Sequence, residues 1–329
     1  IQQRRAETIL IQSANVFFDE LAEKVFVLEE YNKPHPLSVK ALVAQVEKYI
    51  VDERYEIRLN NLMNQEVENL YKELSDKEKF PFDGISNDKL DDEFRRQVKL
   101  YESLTEKLLA MMITGCRWGK ESHEDLWVNC LERIANPPEE GSRRIPALYK
   151  LRLYPALLLL YGGGIASIVA GKYSTFLSLL TVPKIRPTYG EGGPLVLDLH
   201  PWSVMESPKI QSLLPGLERN PIPLSNHLNN ILRDLLREIL PQDANYQEYF
   251  DRFEYLAALV HANLQKEKYD EIWAPVGLFG YRSRFYRDTS IMDKIQSEFE
   301  NSTQTYIDSG DGVPTKQVYS TWPPRAGLF

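Results

Sequence analysis

The residues with the clearest chemical potential alternate between arginines and aromatic rings near the carboxyl end of the chain. Arg282, Arg284 and Arg287 are interleaved with Phe285 and Tyr286. Such a cluster can bind a single-stranded nucleic acid or another anionic ligand, because guanidinium groups neutralise phosphates and aromatic rings stack on bases. The same arginines can instead pair with carboxylates of an acidic protein, and the sequence favours this structural role. The candidate contacts for an anion or nucleic acid are Arg282, Arg284, Tyr286 and Arg287.

Motifs for catalysis and for metal or cofactor binding are not found in the sequence. The stretch before Tyr173 approaches a phosphate-binding P-loop, but Ala166 replaces its first glycine, and Tyr173 follows Lys172 where serine or threonine is required. The five histidines form neither an H-E-x-x-H motif nor a close cluster with cysteine. The serines lack a G-x-S-x-G motif. We therefore assign no catalytic, cofactor or metal residue, and we expect no enzymatic activity from this chain.

Composition is typical of an ordinary soluble globular protein. The 329 residues are 43% hydrophobic and 26% charged, which excludes a disordered chain and a collagen-like fibre. The net charge of −8 argues against a general nucleic-acid binder, although it is compatible with a local basic patch. The two cysteines, Cys116 and Cys130, cannot build a disulfide scaffold, and they favour a reducing, cytoplasmic location. Because the chain starts at Ile1 rather than at Met, we expect further sequence upstream.

Proline and charge both divide the chain near Asn136. Residues 1–136 hold three of the twenty prolines and a net charge of −7, whereas residues 137–241 hold thirteen prolines. Proline is costly inside helices, so only the first part can carry long uninterrupted helices. We predict a long amphipathic helical bundle or stalk at 1–136, a compact helical domain with a buried apolar centre at 137–308, and an extended tail at 309–329.

Apolar residues of the first part recur at intervals of three to four, which predicts four helices. The first helix is Gln2–Tyr31. The second begins at Leu37 or Val39 and continues to Leu74, either unbroken or kinked between Asp52 and Arg58. The third is Asp88–Gly115 with Asp88 as its cap, and the fourth is Glu121–Ala135. A bundle packed on itself is the simpler interpretation, but helices of this length often pack in trans. We therefore also expect self-association through residues 1–115. Its candidate contacts are Phe17, Phe18, Phe26, Leu59 and Leu62.

A run of 19 uncharged residues extends from Leu153 to Gly171. Its length suits a membrane span, but Pro155, the glycines at 162–164 and basic residues on both sides argue against one. We instead predict a buried helical hairpin that is broken at the glycines, which permit either a sharp turn or close helix approach. The helices expected around it are Ile145–Leu160, Ile165–Ala170 and Tyr173–Leu180.

Beyond this run the sequence again predicts helices, with strands limited to short pieces. Leu195–His200 is a candidate strand, on which Asp198 and His200 would share a face. The two predicted helices are Asn226–Leu240, capped by Ser225, and Tyr246–Leu264. The predicted fold class is therefore mostly α, a long-helix bundle followed by a proline-rich compact helical domain.

Three segments resemble the helical companion region of bacterial multidomain defence proteins. They are R-R-I-P-A-L-Y-K-L-R-L-Y-P-A-L-L-L-L-Y-G-G-G-I (Arg143–Ile165), D-R-F-E-Y-L-A-A-L-V-H-A (Asp251–Ala262) and W-A-P-V-G-L-F-G-Y-R (Trp273–Arg282). In such proteins a sirtuin-like, Toll/interleukin-receptor-like or Schlafen-like effector module often precedes a helical sensing part. The resemblance covers about residues 90–290. It implies a non-catalytic module that senses a partner, or forms a homo-oligomer, for an effector domain or companion protein.

The leading hypothesis is therefore a helical sensing and assembly module of a larger antiviral defence-type protein. A nucleic-acid-binding module that uses Arg282–Arg287 is one alternative, and it would show salt-sensitive binding to oligonucleotides. A membrane-attached protein with a span near 153–171 is another, and it would require detergent.

Overall fold

The computed structural model describes residues 38–136, 145–186, 192–241 and 244–309, without the side chains of residue 299 and residues 301–309. Among the described residues, those from Val43 onward form one compact unit. The predicted mostly-α fold is confirmed, since the described ranges are dominated by helices and contain no β-strand. Their one β-type pairing is an isolated bridge between Lys184 and Pro194.

The α-helices are numbered in chain order. They are α1 (Val39–Val51), α2 (Glu56–Leu74), α3 (Leu90–Trp118), α4 (Glu124–Ala135), α5 (Pro146–Leu151), α6 (Tyr154–Val169), α7 (Tyr173–Thr181), α8 (Pro201–Val204), α9 (Pro208–Gln211), α10 (Pro223–Arg237), α11 (Tyr246–Tyr269), α12 (Leu278–Tyr286) and α13 (Ser290–Ser309). Short 3₁₀ helices lie at Glu53–Tyr55, Glu121–His123 and Leu195–Leu197.

The helix predicted to reach Leu74 begins at Val39, and it is interrupted where the sequence left a kink open as one alternative. The Asp52 carboxylate accepts a hydrogen bond from the Arg54 backbone N–H and starts a 3₁₀ turn between α1 and α2. The next helix differs from the prediction at both ends: α3 begins at Leu90 and ends at Trp118. Asp88 is not its cap, because Lys89 holds the N-cap position and no side chain caps this end.

Prolines begin helices in the middle of the chain. Five helices, α5, α6, α8, α9 and α10, carry proline at their first or second position. The backbone N–H groups of the first helical turn have no intrahelical acceptor, so a proline costs nothing there. The high proline content therefore produces many short helices rather than irregular structure.

Helix α6 forms the centre of the core and corrects the predicted hairpin. It continues through Gly162, Gly163 and Gly164, and the break in the chain lies instead at residues 152–153. A Cβ atom at Gly162 would stand 2.5 Å from Leu109 Cδ1, and one at Gly164 would stand 2.3 Å from Phe253 Cε2. The glycines therefore permit close helix approach, one of the two roles that the sequence left open.

Packing around α6 crosses the predicted domain boundary at Asn136. Helix α6 contacts α3 and α4 from the first predicted domain and α7, α10 and α11 from the second. Helices from both predicted domains accordingly belong to the same compact unit. The segment Pro146–Val169 is long and apolar enough to cross a membrane, but 89% of its apolar window is buried inside the protein. Such burial is typical of a core helix.

The second half corrects three further predictions. Leu195–Leu197 is a 3₁₀ helix rather than a strand. Helix α10 begins at Pro223, so Ser225 lies inside the helix and does not cap it. Helix α11 runs five residues past Leu264 to Tyr269, where Asp270 takes the left-handed conformation. Of the predicted tail, the structure describes only Ser309, the end of α13.

Candidate recognition surface

Helix α11 connects the core to the two helices that follow it. Asp251, Arg252 and Glu254 are almost fully buried on this helix, although charged residues are rarely buried without partners. Two of them form ion pairs: Asp251 with Arg282 of α12, and Arg252 with both carboxylate oxygens of Glu298 of α13, each at 2.6 Å. The Asp251–Arg282 pair is largely buried, whereas Glu298 is 48% exposed, and the two pairs join α12 and α13 to α11.

Glu254 binds the amino end of α12. Its Oε2 accepts a hydrogen bond from the Leu278 backbone N–H at 2.7 Å, and its Oε1 accepts from Ser225 Oγ at 2.5 Å and from the Tyr161 hydroxyl at 3.2 Å. A Cβ atom at Gly277 would stand 2.2 Å from Oε2, so this close approach requires glycine. The carboxylate therefore lies where the free N–H groups and the helix dipole favour negative charge.

Burial has the largest influence on the pKa of the Glu254 carboxyl group. It raises the pKa of Glu254 to about 7, although the hydrogen bonds from Ser225 and Leu278 act in the opposite direction. The pKa of the Tyr161 hydroxyl is raised well above its ordinary value by burial, and further by the nearby Glu254 charge. The described residues hydrogen-bonded to Glu254 include no cation that would keep its carboxylate ionised. With a pKa of about 7, the carboxyl group changes its protonation state near neutral pH.

The outer face of α12 presents aromatic rings to solvent. The side chains of Phe285 and Tyr286 are 62% and 72% exposed. The Tyr281 ring packs against Phe285 at 4.6 Å between centroids, and the Arg284 guanidinium lies 5.6 Å from the Phe285 ring. Arg287, in the left-handed conformation, ends the helix and is exposed. A rigid helix thus displays aromatic and cationic groups together.

The structure separates the four predicted anion contacts into two groups. Arg282 takes the structural role, because its guanidinium pairs with the buried Asp251. Arg284, Tyr286 and Arg287 all remain exposed on α12 or at its end. Within the described part of the chain, the side chain of Arg287 has no hydrogen bond or ion pair, and its backbone N–H donates to the Arg282 carbonyl. The candidate surface therefore keeps three of the four residues.

The predicted self-association contacts fall mainly outside the described residues. Phe17, Phe18 and Phe26 lie there, and nothing in the structure bears on them. Leu59 is fully buried on the inner face of α2, and Leu62 is partly buried. Leu59 therefore belongs to the core of this chain and is not accessible to a second copy.

Two histidines separated in sequence meet beside the core. The rings of His200 and His261 lie 5.2 Å apart between centroids, and both pack against Trp273. Burial lowers the pKa of His200 to about 3 and also lowers the pKa of His261, so both are neutral at pH 7. Among the described residues, no group of three His, Cys, Asp or Glu is arranged to hold a metal ion. Cys116 and Cys130 are buried free thiols.

Sequence reasoning missed the residues that position the surface. Asp251 and Glu254 are three apart in an aromatic-rich helix, and this spacing on one helix face was the available signal. Nothing in the local sequence shows that these acids are buried, because burial depends on α6 and α10. Comparison with family models, with curated proteins and with solved structures gives no match, so the site rests on its own geometry.

Proposed function

We propose that this chain is a helical sensing and assembly module whose recognition surface is the outer face of α12. The observation that carries the proposal is the exposure of Phe285 and Tyr286 on a helix that buried acids hold in place. Exposed aromatic rings beside arginines are typical of binding surfaces, where Tyr, Trp and Arg provide much of the affinity.

The anchoring of α12 supports this function. A surface that is ordered before binding loses less conformational entropy when a partner arrives. Glu254 and Asp251 hold α12 at two successive points, Leu278 and Arg282, so the exposed rings stand on a fixed support. In the defence-type architecture that the sequence resembles, such a surface would receive the signal for an effector module.

Site-specific photo-crosslinking in bacteria tests the recognition surface. A photoreactive amino acid at Phe285 of the full-length protein should give a discrete adduct, identified by mass spectrometry, that Tyr286→Ala removes. The same amino acid at Ile57, which is 75% exposed on α2, is the matched control and should not give that adduct. No adduct at Phe285, or the same adduct at both positions, would contradict the proposal.

Assembly is proposed through residues 1–115, as the long amphipathic helices of the sequence suggest. A stable homodimer usually buries at least about 1,000 Å². Phe18→Glu should weaken association by placing a charge in the interface, with little change in helix content. Light scattering at micromolar concentration measures this, and a constant mass of 38.1 kDa for the unmodified chain would exclude self-association.

A second candidate function is binding of single-stranded nucleic acid. It is favoured by Tyr286 and Arg287, which are adjacent and exposed and whose side chains have no polar partners among the described residues. The engagement of Arg282 with Asp251 weakens it by removing one cation. Fluorescence anisotropy with a labelled oligonucleotide tests it: Arg287→Ala should lower the affinity, and affinity should fall as salt increases. Salt-independent binding would reject a phosphate-based mode.

A further inference from the structure

An open groove lies between α12 and the loop of residues 216–221. Its volume is about 490 Å³, and Tyr281 and Tyr286 form its aromatic side. Glu218, Arg219 and Asn220 form its polar side. Small-molecule sites commonly measure about 300–1,000 Å³ and combine apolar walls with a few polar groups. The size and composition of the groove therefore suit a ligand larger than a simple ion.

The loop that forms the polar side is held by its own hydrogen bonds. Gly216 adopts a positive φ of 76°, and its N–H donates to Glu218 Oε1 at 3.0 Å. Asn220 Oδ1 accepts from the Ile222 N–H at 2.9 Å, and the Asn220 N–H donates to the Leu217 carbonyl at 2.9 Å. Hydrogen bonds between residues 216 and 222 thus hold the loop, and they use one oxygen each of Glu218 and Asn220.

The polar side keeps hydrogen-bonding capacity for a ligand. Arg219 is exposed and has no ion pair or hydrogen bond within the described residues. The Asn220 amide nitrogen is likewise uncommitted there, since only Oδ1 is used. Glu218 keeps Oε2, and backbone N–H groups lower the pKa of its carboxyl group, so it is ionised at neutral pH.

We propose that this groove binds a nucleotide, with the base stacked on Tyr286 and the phosphate on Arg219. Glu218 accepts hydrogen bonds from the sugar hydroxyls, and the Asn220 amide donates to the edge of the base. The inference rests on the proposed function, because it takes the outer face of α12 as the recognition surface. It adds the 216–221 loop as the second half of the site.

The arrangement of Glu218, Arg219 and Tyr286 around the groove favours a nucleotide. A wholly anionic ligand, such as an acidic peptide, would be repelled by Glu218 at every register. A nucleotide carries its negative charge at one end, neutral hydroxyl donors in the middle and a planar ring at the other end. It can therefore satisfy an arginine, a carboxylate and an exposed tyrosine ring at the same time. The same chemistry is offered by a free mononucleotide and by one nucleotide of a single strand.

Binding to the full 329-residue chain tests this assignment. The probes are the four common ribonucleoside 5′-monophosphates, measured by calorimetry, and a fluorescein-labelled mixed-sequence single strand of about twelve nucleotides, measured by anisotropy. Stacking on an aromatic ring contributes about five-fold or more to affinity. Tyr286→Ala and Arg219→Ala should each weaken binding by at least about five-fold, whereas Tyr286→Phe should retain it. Tyr269→Ala, at a 53% exposed tyrosine that ends α11, is the control and should change nothing.

The outcomes separate the two nucleotide sources and the two proposals. Binding of monophosphates indicates a free nucleotide, and binding of the strand alone indicates a nucleic-acid partner, provided that Tyr286→Ala weakens either one. No binding of any probe at roughly 1 mM overturns the inference, as does binding that Tyr286→Ala and Arg219→Ala leave unchanged. If the Phe285 crosslink persists without nucleotide binding, the recognition surface stands and only its ligand is wrong.

Discussion

Helices α6 and α12 share several residue types, but α6 lies in the core and α12 lies at the surface. Both contain glycine, leucine and tyrosine, yet every residue from Tyr154 to Ile168 of α6 is buried, whereas only Leu278 and Phe279 of α12 are. Helix α6 is uncharged and packed on several sides, while α12 is fixed by polar contacts at Leu278 and Arg282. Apolar packing thus builds the core, and buried acids hold a partly apolar helix at the surface.

The largest expected effect tests whether α6 is the core. Leu158→Asp should unfold the compact unit, because Leu158 is only 1% exposed and an unpaired buried carboxylate costs several kcal/mol. The matched control is Leu177→Asp on α7, where the leucine is 45% exposed; this change should stay within about 0.5 kcal/mol. Thermal unfolding followed by circular dichroism measures both. Equal melting temperatures for the two variants would contradict the assignment of α6 to the core.

The second prediction concerns the pH dependence of the polar anchor. In the folded protein the pKa of Glu254 is about 7, compared with an ordinary value of 4.5. Between these values the folded state binds more protons than the unfolded state, so stability falls as pH rises. This contribution is fully present below about pH 4.5 and is lost by about pH 7.5, a change of about 3 kcal/mol.

Glu254→Gln isolates that contribution, since its amide does not titrate. The buried neutral histidines act in the opposite direction, because their lowered pKa values make stability rise with pH up to the ordinary histidine value. They are present in both proteins, so the difference in unfolding free energy reports Glu254 alone. Denaturant melts from pH 4.5 to 7.5 should show this difference changing; parallel curves would show that folding does not shift the pKa of Glu254.

A smaller effect is expected from substitutions of the α6 glycines, which lie against side chains of neighbouring helices. Gly164→Ala places a methyl group 2.3 Å from the buried Phe253 ring, and overpacking of this kind costs about 1–3 kcal/mol. The gain in helix propensity offsets up to about 1 kcal/mol of it. Gly163→Ala meets its nearest neighbours at 3.2 Å, including the flexible Met112, so it should be nearly neutral. Denaturation midpoints compare the two, and a larger loss at Gly163 would overturn this description of the packing.

The sequence predicts helices well where the pattern is local. The helices at Glu121–Ala135 and Tyr173–Leu180 match α4 and α7 closely, because their apolar residues repeat at helical spacing. The predicted hairpin at Gly162–Gly164 was wrong because residues distant in sequence determine the structure there. Three glycines suggest a turn, but Leu109 and Phe253 approach them from other helices and leave no room for side chains. Helix continuity there depends on neighbours distant in sequence.

The candidate site was predictable only in part, for the same reason. Arg284, Tyr286 and Arg287 stand out by composition, and the structure leaves them exposed. Ser225 was identified as a helix cap from its local position, but its hydroxyl donates to Glu254, 29 residues away. The Arg219–Asn220 side of the groove carries only a turn signal, because its role depends on how the loop lies against α12.

The smallest expected effect on stability is at Tyr286, on the exposed face of α12. Tyr286→Ala should change the free energy of unfolding by less than about 0.5 kcal/mol, because the ring is 72% exposed and its hydroxyl has no hydrogen bond within the described residues. Its edge-to-face contact with Tyr281, at 6.0 Å between ring centroids, leaves most of the Tyr286 ring in solvent. Chemical denaturation at pH 7 measures this value, with Tyr161→Phe as the contrast, since that hydroxyl donates to the buried Glu254 and its loss should cost about 1 kcal/mol. A cost for Tyr286→Ala equal to or above that of Tyr161→Phe would make α12 part of the core rather than a displayed surface, and it would remove the physical basis for assigning recognition to this helix.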